Sequence, residues 1–75
     1  MASESTEREF TIRDEYITLG QLLKAADIVQ TGGEVKDYLL ESGITVNGES
    51  EERRGKKLRP GDVVVFPVGI TITVR

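Results

Sequence analysis

The spacing of apolar residues along this 75-residue chain changes at Gly43, and the change indicates two helices followed by strands. In residues 19–26 and again in residues 34–42, apolar side chains recur at intervals of three and four, so we expect a helix in each segment. After Gly43 they alternate with polar side chains or form short β-branched runs, as in strands. The order of the segments therefore indicates an α+β domain.

Residues that commonly cap helices mark the boundaries of both predicted helices. Thr18 and Gln21 have the spacing of a capping box, in which each side chain accepts a hydrogen bond from the backbone N–H of the other residue. The turn Thr31-Gly32-Gly33 separates the first helical pattern from the second. Gly43 follows the second helix and is a candidate left-handed C-cap.

Four segments have the composition of strands, and two turn signals lie between them. Asn47-Gly48 is typical of two-residue hairpin turns, and Pro60-Gly61 fits the central positions of a type II turn. In the last segment Ile70, Ile72 and Val74 share one face and could form an edge strand that pairs with another chain. The predicted strands cover residues 9–13, 44–46, 63–66 and 69–75.

The length of the chain allows one small domain, and no internal repeat is present. We expect two short helices packed on a small, mainly antiparallel sheet of four to five strands, formed by residues 9–75. Residues 1–8 offer little apolar surface that could anchor them and carry acidic side chains, so we expect a flexible acidic tail.

The chain has no cysteine and no histidine. Disulfides and thiolate metal sites are therefore excluded, and the commonest general base is missing. The carboxylates are scattered, Ser42 and Ser50 have no histidine to activate them, and neither a Walker loop nor a dinucleotide-binding motif occurs. We expect a protein that is not an enzyme, that uses no cofactor or metal, and that has no small-molecule substrate.

The hydropathy and the first ten residues bear on localisation. No apolar run approaches the roughly 20 residues that a membrane-spanning helix needs. The segment MASESTEREF is polar and acidic, unlike a signal peptide or a basic transit peptide. We therefore expect a cytoplasmic protein with no membrane partner.

Half of the positive charge of this acidic protein lies in one short segment. The net charge is −3, yet the run RRGKKLR at residues 53–59 holds five of the ten Lys and Arg residues. One interpretation is a solvated loop that balances the glutamates just before it. The other is a phosphate-binding segment, since Arg and Lys donate hydrogen bonds to phosphate and Gly55 would allow a close approach.

The turn Thr31-Gly32-Gly33 is the second candidate for anion binding. It can simply reverse the chain between the helices, or it can offer free N–H groups and the positive end of the helix dipole, with Lys36 one turn further on. The few aromatic rings are expected mostly in the core, which argues against dominant base stacking and favours structured RNA over single strands. These rings belong to Phe10, Tyr16, Tyr38 and Phe66.

The segment from Ile17 to Phe66 resembles the RNA-binding domain of the ribosomal small-subunit protein S-four type, known as the αL motif. That family has two short helices, a strand reading V-x-V-N-G, a polar loop, and G-D-x-V at the start of the next strand. Here ITVNG at residues 44–48 and PGDVV at residues 60–64 occupy those places. The TLGQLLK segment at residues 18–24, the double-glycine turn and the RRGKKL run are similar to those of the small stand-alone YaaA-type proteins.

The resemblance implies a non-enzymatic protein that binds structured RNA of the ribosomal or transfer RNA class, either free or on a ribosomal particle. Many members begin the second helix with Ser-Arg, whereas this sequence has Thr31-Gly32-Gly33, so backbone N–H groups and Lys36 would replace that arginine. The implied RNA-binding residues are Thr31, Gly32, Gly33, Lys36, Asn47, Arg53, Arg54, Lys56 and Lys57.

The alternative is a ubiquitin-like or other protein-interaction module, because V-N-G and G-D-x-V also occur in ubiquitin-like sulfur carriers. Those carriers donate sulfur from a C-terminal Gly-Gly, whereas this chain ends in Thr73-Val74-Arg75, so only a module without that chemistry fits. The two hypotheses predict different surfaces. A protein partner requires an exposed apolar patch, and RNA requires the two basic features on one face.

Overall fold

Residues 6–75 are described by a computed structural model, which contains two helices, a five-stranded mixed sheet and a separate two-stranded sheet. The helices are α1 (Leu19–Ala25) and α2 (Gly32–Ser42). The predicted α+β architecture is confirmed. The strands are β1 (Thr6–Phe10), β2 (Ile17–Thr18), β3 (Thr45–Val46), β4 (Glu49–Ser50), β5 (Lys57–Leu58), β6 (Val63–Phe66) and β7 (Ile70–Val74).

Both helices begin at a capping box. At α1 the Oγ1 atom of Thr18 accepts a hydrogen bond from the N–H of Gln21 at 3.2 Å, and the Gln21 side chain accepts one from the N–H of Thr18 at 3.0 Å. Thr31 and Glu34 form the second box. Helix α2 therefore begins two residues earlier than predicted, because its cap is Thr31 and the two glycines form its first turn. The predicted C-cap is confirmed, since Gly43 has a φ of 71°.

The two predicted turns are present as well. Asn47 and Gly48 have φ angles of 53° and 87° and join β3 to β4 with Val46 opposite Glu49, which is a two-residue hairpin. The N–H of Asp62 donates to the carbonyl of Arg59 at 3.0 Å across Pro60 and a Gly61 with a φ of 102°, as in a type II turn.

The five-stranded sheet has the order β1-β7-β6-β3-β4, with β1 parallel to β7 and the remaining pairs antiparallel. Strand β7 lies between β1 and β6, so the predicted edge position of Ile70, Ile72 and Val74 is wrong. The N-terminal segment covers that edge, because β1 pairs with β7 along its whole length. The strand predicted at residues 9–13 lies three residues earlier, so it includes residues 6–8 of the predicted tail. Residues 1–5 lie outside the described part of the chain.

One hydrophobic core lies between the helices and one face of the sheet. Strands β6 and β7 contribute alternate residues to it, as period-two strands do. Neither α1 nor α2 is long and apolar enough to cross a membrane. The buried apolar residues are Leu19, Leu22, Leu23, Val29, Val35, Leu39, Ile44, Val46, Leu58, Val64, Phe66, Ile72 and Val74.

Two adjacent leucines of α2 provide a matched test of this core. Leu39 is 1% exposed and Leu40 is 57% exposed. We expect Leu39→Ala to lower the free energy of unfolding by about 2–5 kcal/mol, because it removes packed methyl groups and leaves a cavity. Leu40→Ala should change it by less than about 0.5 kcal/mol. Urea unfolding followed by circular dichroism measures both, and equal effects would contradict the assigned helix face.

Candidate nucleic-acid interface

Backbone hydrogen bonds hold the basic run against the start of α1. The N–H of Leu19 donates to the carbonyl of Lys56 at 2.8 Å, and the N–H of Gly20 donates to the carbonyl of Arg54 at 2.9 Å. The pairing of β2 with β5 extends this contact. The first N–H groups of a helix have no partner within the helix, so the carbonyls of the run satisfy two of them, and the run is held in a defined place.

The contact between α1 and the basic run is close enough to favour glycine at position 20. A Cβ atom on Gly20 would lie 3.3 Å from both the Cβ atom and the carbonyl oxygen of Arg54, and 3.4 Å from the Cγ1 atom of Val35. These distances are at the limit of what side chains tolerate. Gly20 therefore allows α1, α2 and the basic run to meet at one point.

A groove of about 300 Å³ opens where these three elements meet. Gly32, at the start of α2, and Arg54, in the basic run, both line this groove. The two features that the sequence singled out for anion binding are thus neighbours in space. The complete lining consists of Thr18, Gly20, Gln21, Lys24, Gly32, Val35, Arg54 and Gly55.

A second groove of about 460 Å³ is lined by four cationic side chains and one glycine. Gly55 lines both grooves, so the two share a boundary. We call the surface formed by these two grooves the basic face. The residues of the second groove are Arg53, Gly55, Lys56, Lys57 and Arg59.

One cation of the basic face has an acidic partner. The Nε atom of Arg53 lies 3.0 Å from Oε2 of Glu51, and its Nη2 atom donates to Oε1 at 3.3 Å. This hydrogen-bonded pair lowers the pKa of Glu51 and raises the pKa of Arg53. The interpretation of the run as a loop that balances the glutamates is therefore correct for Arg53. Arg54, Lys56, Lys57 and Arg59 make no ion pair within residues 6–75.

The start of α2 is partly occupied by its own cap. The carboxylate of Glu34 accepts hydrogen bonds from the N–H groups of Gln30 at 2.9 Å and Thr31 at 3.2 Å, and these bonds lower the pKa of Glu34. The N–H groups of Gly32 and Gly33 have no acceptor within residues 6–75, so they are the ones that remain for an anion. Lys36 is exposed and, four residues after Gly32, shares its helix face.

Asn47 has an intramolecular role. Its Oδ1 atom accepts a hydrogen bond from the N–H of Val63 at 2.9 Å, and its Nδ2 atom donates to Asp62 at 3.1 Å. Asp62 in turn accepts from the N–H of Arg59 at 2.8 Å. Asn47 lines neither groove of the basic face, and it connects the hairpin turn to the end of the basic run instead.

Three cationic or aromatic side chains of this region were absent from the predicted site. Lys24 lines the first groove, and its spacing of four from Gly20 in the predicted helix could have indicated this. Arg59 lines the second groove at the end of the run. Tyr16, expected in the core, is 37% exposed, with its ring centroid 4.9 Å from Nζ of Lys57 and 6.0 Å from Cζ of Arg59. Phe66 is buried as expected, and Phe10 and Tyr38 are partly buried.

The glycine contact can be tested by the same substitution at two helical glycines. Gly20→Val should lower the free energy of unfolding by about 1–3 kcal/mol, because the new side chain must displace the backbone of the basic run. Gly33→Val is the control, since a Cβ atom there meets nothing within 4 Å. We expect it to change stability by less than about 0.5 kcal/mol, since valine and glycine differ little in helix propensity. Urea unfolding compares the two variants, and a Gly20→Val variant as stable as the Gly33→Val variant would refute the contact.

The ion pair between Glu51 and Arg53 predicts a dependence of stability on pH. The pKa of Glu51 in the folded protein lies below its ordinary value of 4.5, so the unfolded chain binds protons more readily in that range. The contribution of the ion pair to stability is therefore complete above about pH 4.5. It is lost as the pH falls through the lowered pKa of Glu51 in the folded protein. Glu51→Gln should weaken the acid destabilisation seen in urea unfolding at a series of pH values. Glu52→Gln, which removes the adjacent carboxylate without breaking this pair, should weaken it less.

Comparisons with known proteins agree with this architecture. The family model described as S4 domain matches residues 10–75. A relative named "Probable ribosome maturation protein RlbA", from Bacillus subtilis (strain 168), is 54% identical over 54 residues, which cover 72% of this chain and 76% of that protein. No solved structure matches. The family predicted from the helix pair, the V-N-G hairpin and the basic run is therefore confirmed, and the chain belongs to the S4 domain family.

Proposed function

We propose that this protein is a non-enzymatic RNA-binding protein that holds the phosphate backbone of structured RNA on its basic face. The observation that carries the proposal is the position of Gly32 and Arg54 on one groove, which shares Gly55 with a second, cationic groove. Two separate anion-binding features on one continuous surface suit a ligand with phosphates at several points. A polynucleotide has that property.

The chemistry of the basic face suits phosphate groups rather than base edges. Arginine can bind a phosphate through two parallel hydrogen bonds, and lysine acts as a mobile point charge. Arg54, Lys56 and Lys57 are the proposed principal contacts, because they have no ion-pair partner within the described residues. Arg53 would exchange Glu51 for a phosphate, so its net contribution should be smaller.

The start of α2 would supply the remaining contacts. The N–H groups of Gly32 and Gly33 point from the positive end of the helix dipole, and Lys36 adds a full charge on the same helix face. Thr31 would act through its cap, which fixes the first turn. Asn47 would act indirectly, by positioning Asp62 and the end of the basic run.

A ribosomal or transfer RNA is the proposed ligand class, and the cytoplasm is the proposed location. The relative from Bacillus subtilis is named a probable ribosome maturation protein, which supports an association with ribosomal particles. The absence of catalysis is supported by the groups whose pKa is shifted, Glu34, Glu51 and Arg53. Each has a structural partner in a helix cap or a surface ion pair.

Salt-dependent RNA binding tests the proposal. With about five or six phosphate contacts, the logarithm of affinity should fall with the logarithm of salt concentration with a slope on the order of −4 to −5. Fluorescence anisotropy at three salt concentrations would compare a ribosomal RNA hairpin, a transfer RNA and duplex DNA. The combined substitution of Arg53, Arg54, Lys56 and Lys57 by alanine should remove most of the binding.

Two single substitutions that each remove one positive charge test whether the position of that charge matters for RNA binding. Arg54→Ala should weaken binding to all RNAs and reduce the magnitude of the slope by about 1, as expected for the loss of one phosphate contact. Arg8→Ala removes the same charge from β1, outside both grooves, and should leave the slope unchanged. Equal slopes for the two variants would show that Arg54 does not contact phosphate. A folded protein that binds no RNA near physiological salt would favour a protein partner instead.

A further inference from the structure

An exposed aromatic ring lies next to the cations of the second groove. Tyr16 is 37% exposed, and its ring has Lys57 and Arg59 within 4.9 Å and 6.0 Å of the centroid. The position is set by the two-stranded sheet, because Tyr16 directly precedes β2 and Lys57 belongs to β5. The ring therefore has a defined place beside two cations of the basic face.

The hydrophobic core does not account for this ring. Tyr16 belongs neither to the buried core cluster nor to the partly buried residues packed against it, whereas Phe10, Tyr38 and Phe66 do. The phenol oxygen makes no hydrogen bond within residues 6–75. A cation near the ring face is attracted by its quadrupole, which explains why Lys57 and Arg59 gather there. It does not explain why more than a third of the residue remains exposed.

We propose that Tyr16 is a stacking platform for an unpaired base of the bound RNA, while Lys57 and Arg59 hold the phosphates next to that base. The inference rests on the proposed function and narrows its ligand to an RNA that presents an unpaired nucleotide beside a helical segment. Every nucleobase has a face that can stack on an aromatic ring. Each base is also joined to phosphates on either side, so a ring beside two cations matches one nucleotide unit.

The ring and the cations can bind at the same time. Lys57 is a long, flexible side chain, and its ammonium group can move from the ring to a phosphate without moving the backbone of β5. Arg59 can remain beside the ring, because its planar guanidinium group stacks on aromatic faces and donates hydrogen bonds at its edge. Structured RNA commonly offers such bases in bulges and loops, where they can stack on protein side chains.

The composition of the chain allows base stacking on Tyr16 to be followed by tyrosine fluorescence. It contains two tyrosines and no tryptophan, so Tyr38→Phe leaves Tyr16 as the single tyrosine fluorophore. The probes are a fully paired RNA duplex and the same duplex interrupted by one unpaired nucleotide. We expect the bulged RNA to quench the emission of Tyr16 in a saturable way, with the concentration dependence seen by anisotropy. The paired duplex should quench it much less.

The affinities of the protein for the two RNAs provide a second test of the stacking role. The protein should prefer the bulged RNA over the paired duplex by about tenfold, a typical value for one stacked base. Tyr16→Leu should abolish this preference, and Tyr16→Phe should retain it, because phenylalanine keeps the aromatic face. The exposure of Tyr16 makes both variants compatible with the fold, and their unfolding midpoints provide the check.

The other outcomes of the fluorescence and affinity experiments would contradict the stacking of a base on Tyr16. An unquenched Tyr16 at saturation with bulged RNA, or equal affinities for the two RNAs, would overturn the stacking role and leave the proposed function intact. The same conclusion follows if Tyr16→Leu weakens both RNAs equally, because the ring would then only position the two cations. Failure of the wild-type protein to bind either RNA would overturn the proposed function together with the inference.

Discussion

The two hydrogen bonds from the start of α1 to the basic run are the contacts on which the candidate site depends. A loop that collects five cations would repel itself and gain entropy by moving. Leu19 and Gly20 counter this by donating their otherwise unpaired N–H groups to its carbonyls. The same bonds satisfy the helix end, so one contact completes the helix and positions the charges. Without a side chain at Gly20, the contact also leaves room for α2 to approach.

The distribution of acidic residues explains how a protein with a net charge of −3 has a basic face. Glu51 pairs with Arg53 and Glu34 caps α2, so two of the acids close to the site have local structural partners. Screening by salt confines the influence of more distant acids to roughly 10 Å. The local arrangement of charge therefore matters more than the total, and the isoelectric point says little about the partner.

The local parts of the fold could be predicted from the sequence, and the parts that depend on distant pairing could not. Capping boxes, the Asn47-Gly48 turn and the Gly43 cap each depend on a few neighbouring residues, so their signals are contained in short segments. The strands β2 and β5 have two residues each, which is too short to show a period. Tyr16 directly precedes β2. Because the sequence gives no sign of this short pairing, it also gives no sign that the ring of Tyr16 is exposed. The start of α2 and the basic run were predicted as two halves of one phosphate-binding face, but the position of Lys24 on the same groove was not predicted.

The parallel pairing of β1 with β7 has a consequence for how the chain reaches its structure. Thr6 lies opposite Ile70, so this ladder joins segments from nearly opposite ends of the sequence. Closing so long a loop costs entropy before any ladder contact forms, and contacts of this kind slow folding. Strand β1 has no other strand partner within residues 6–75. The helices, the hairpin and the basic run depend on contacts over shorter sequence distances, so they can assemble before β1 pairs with β7.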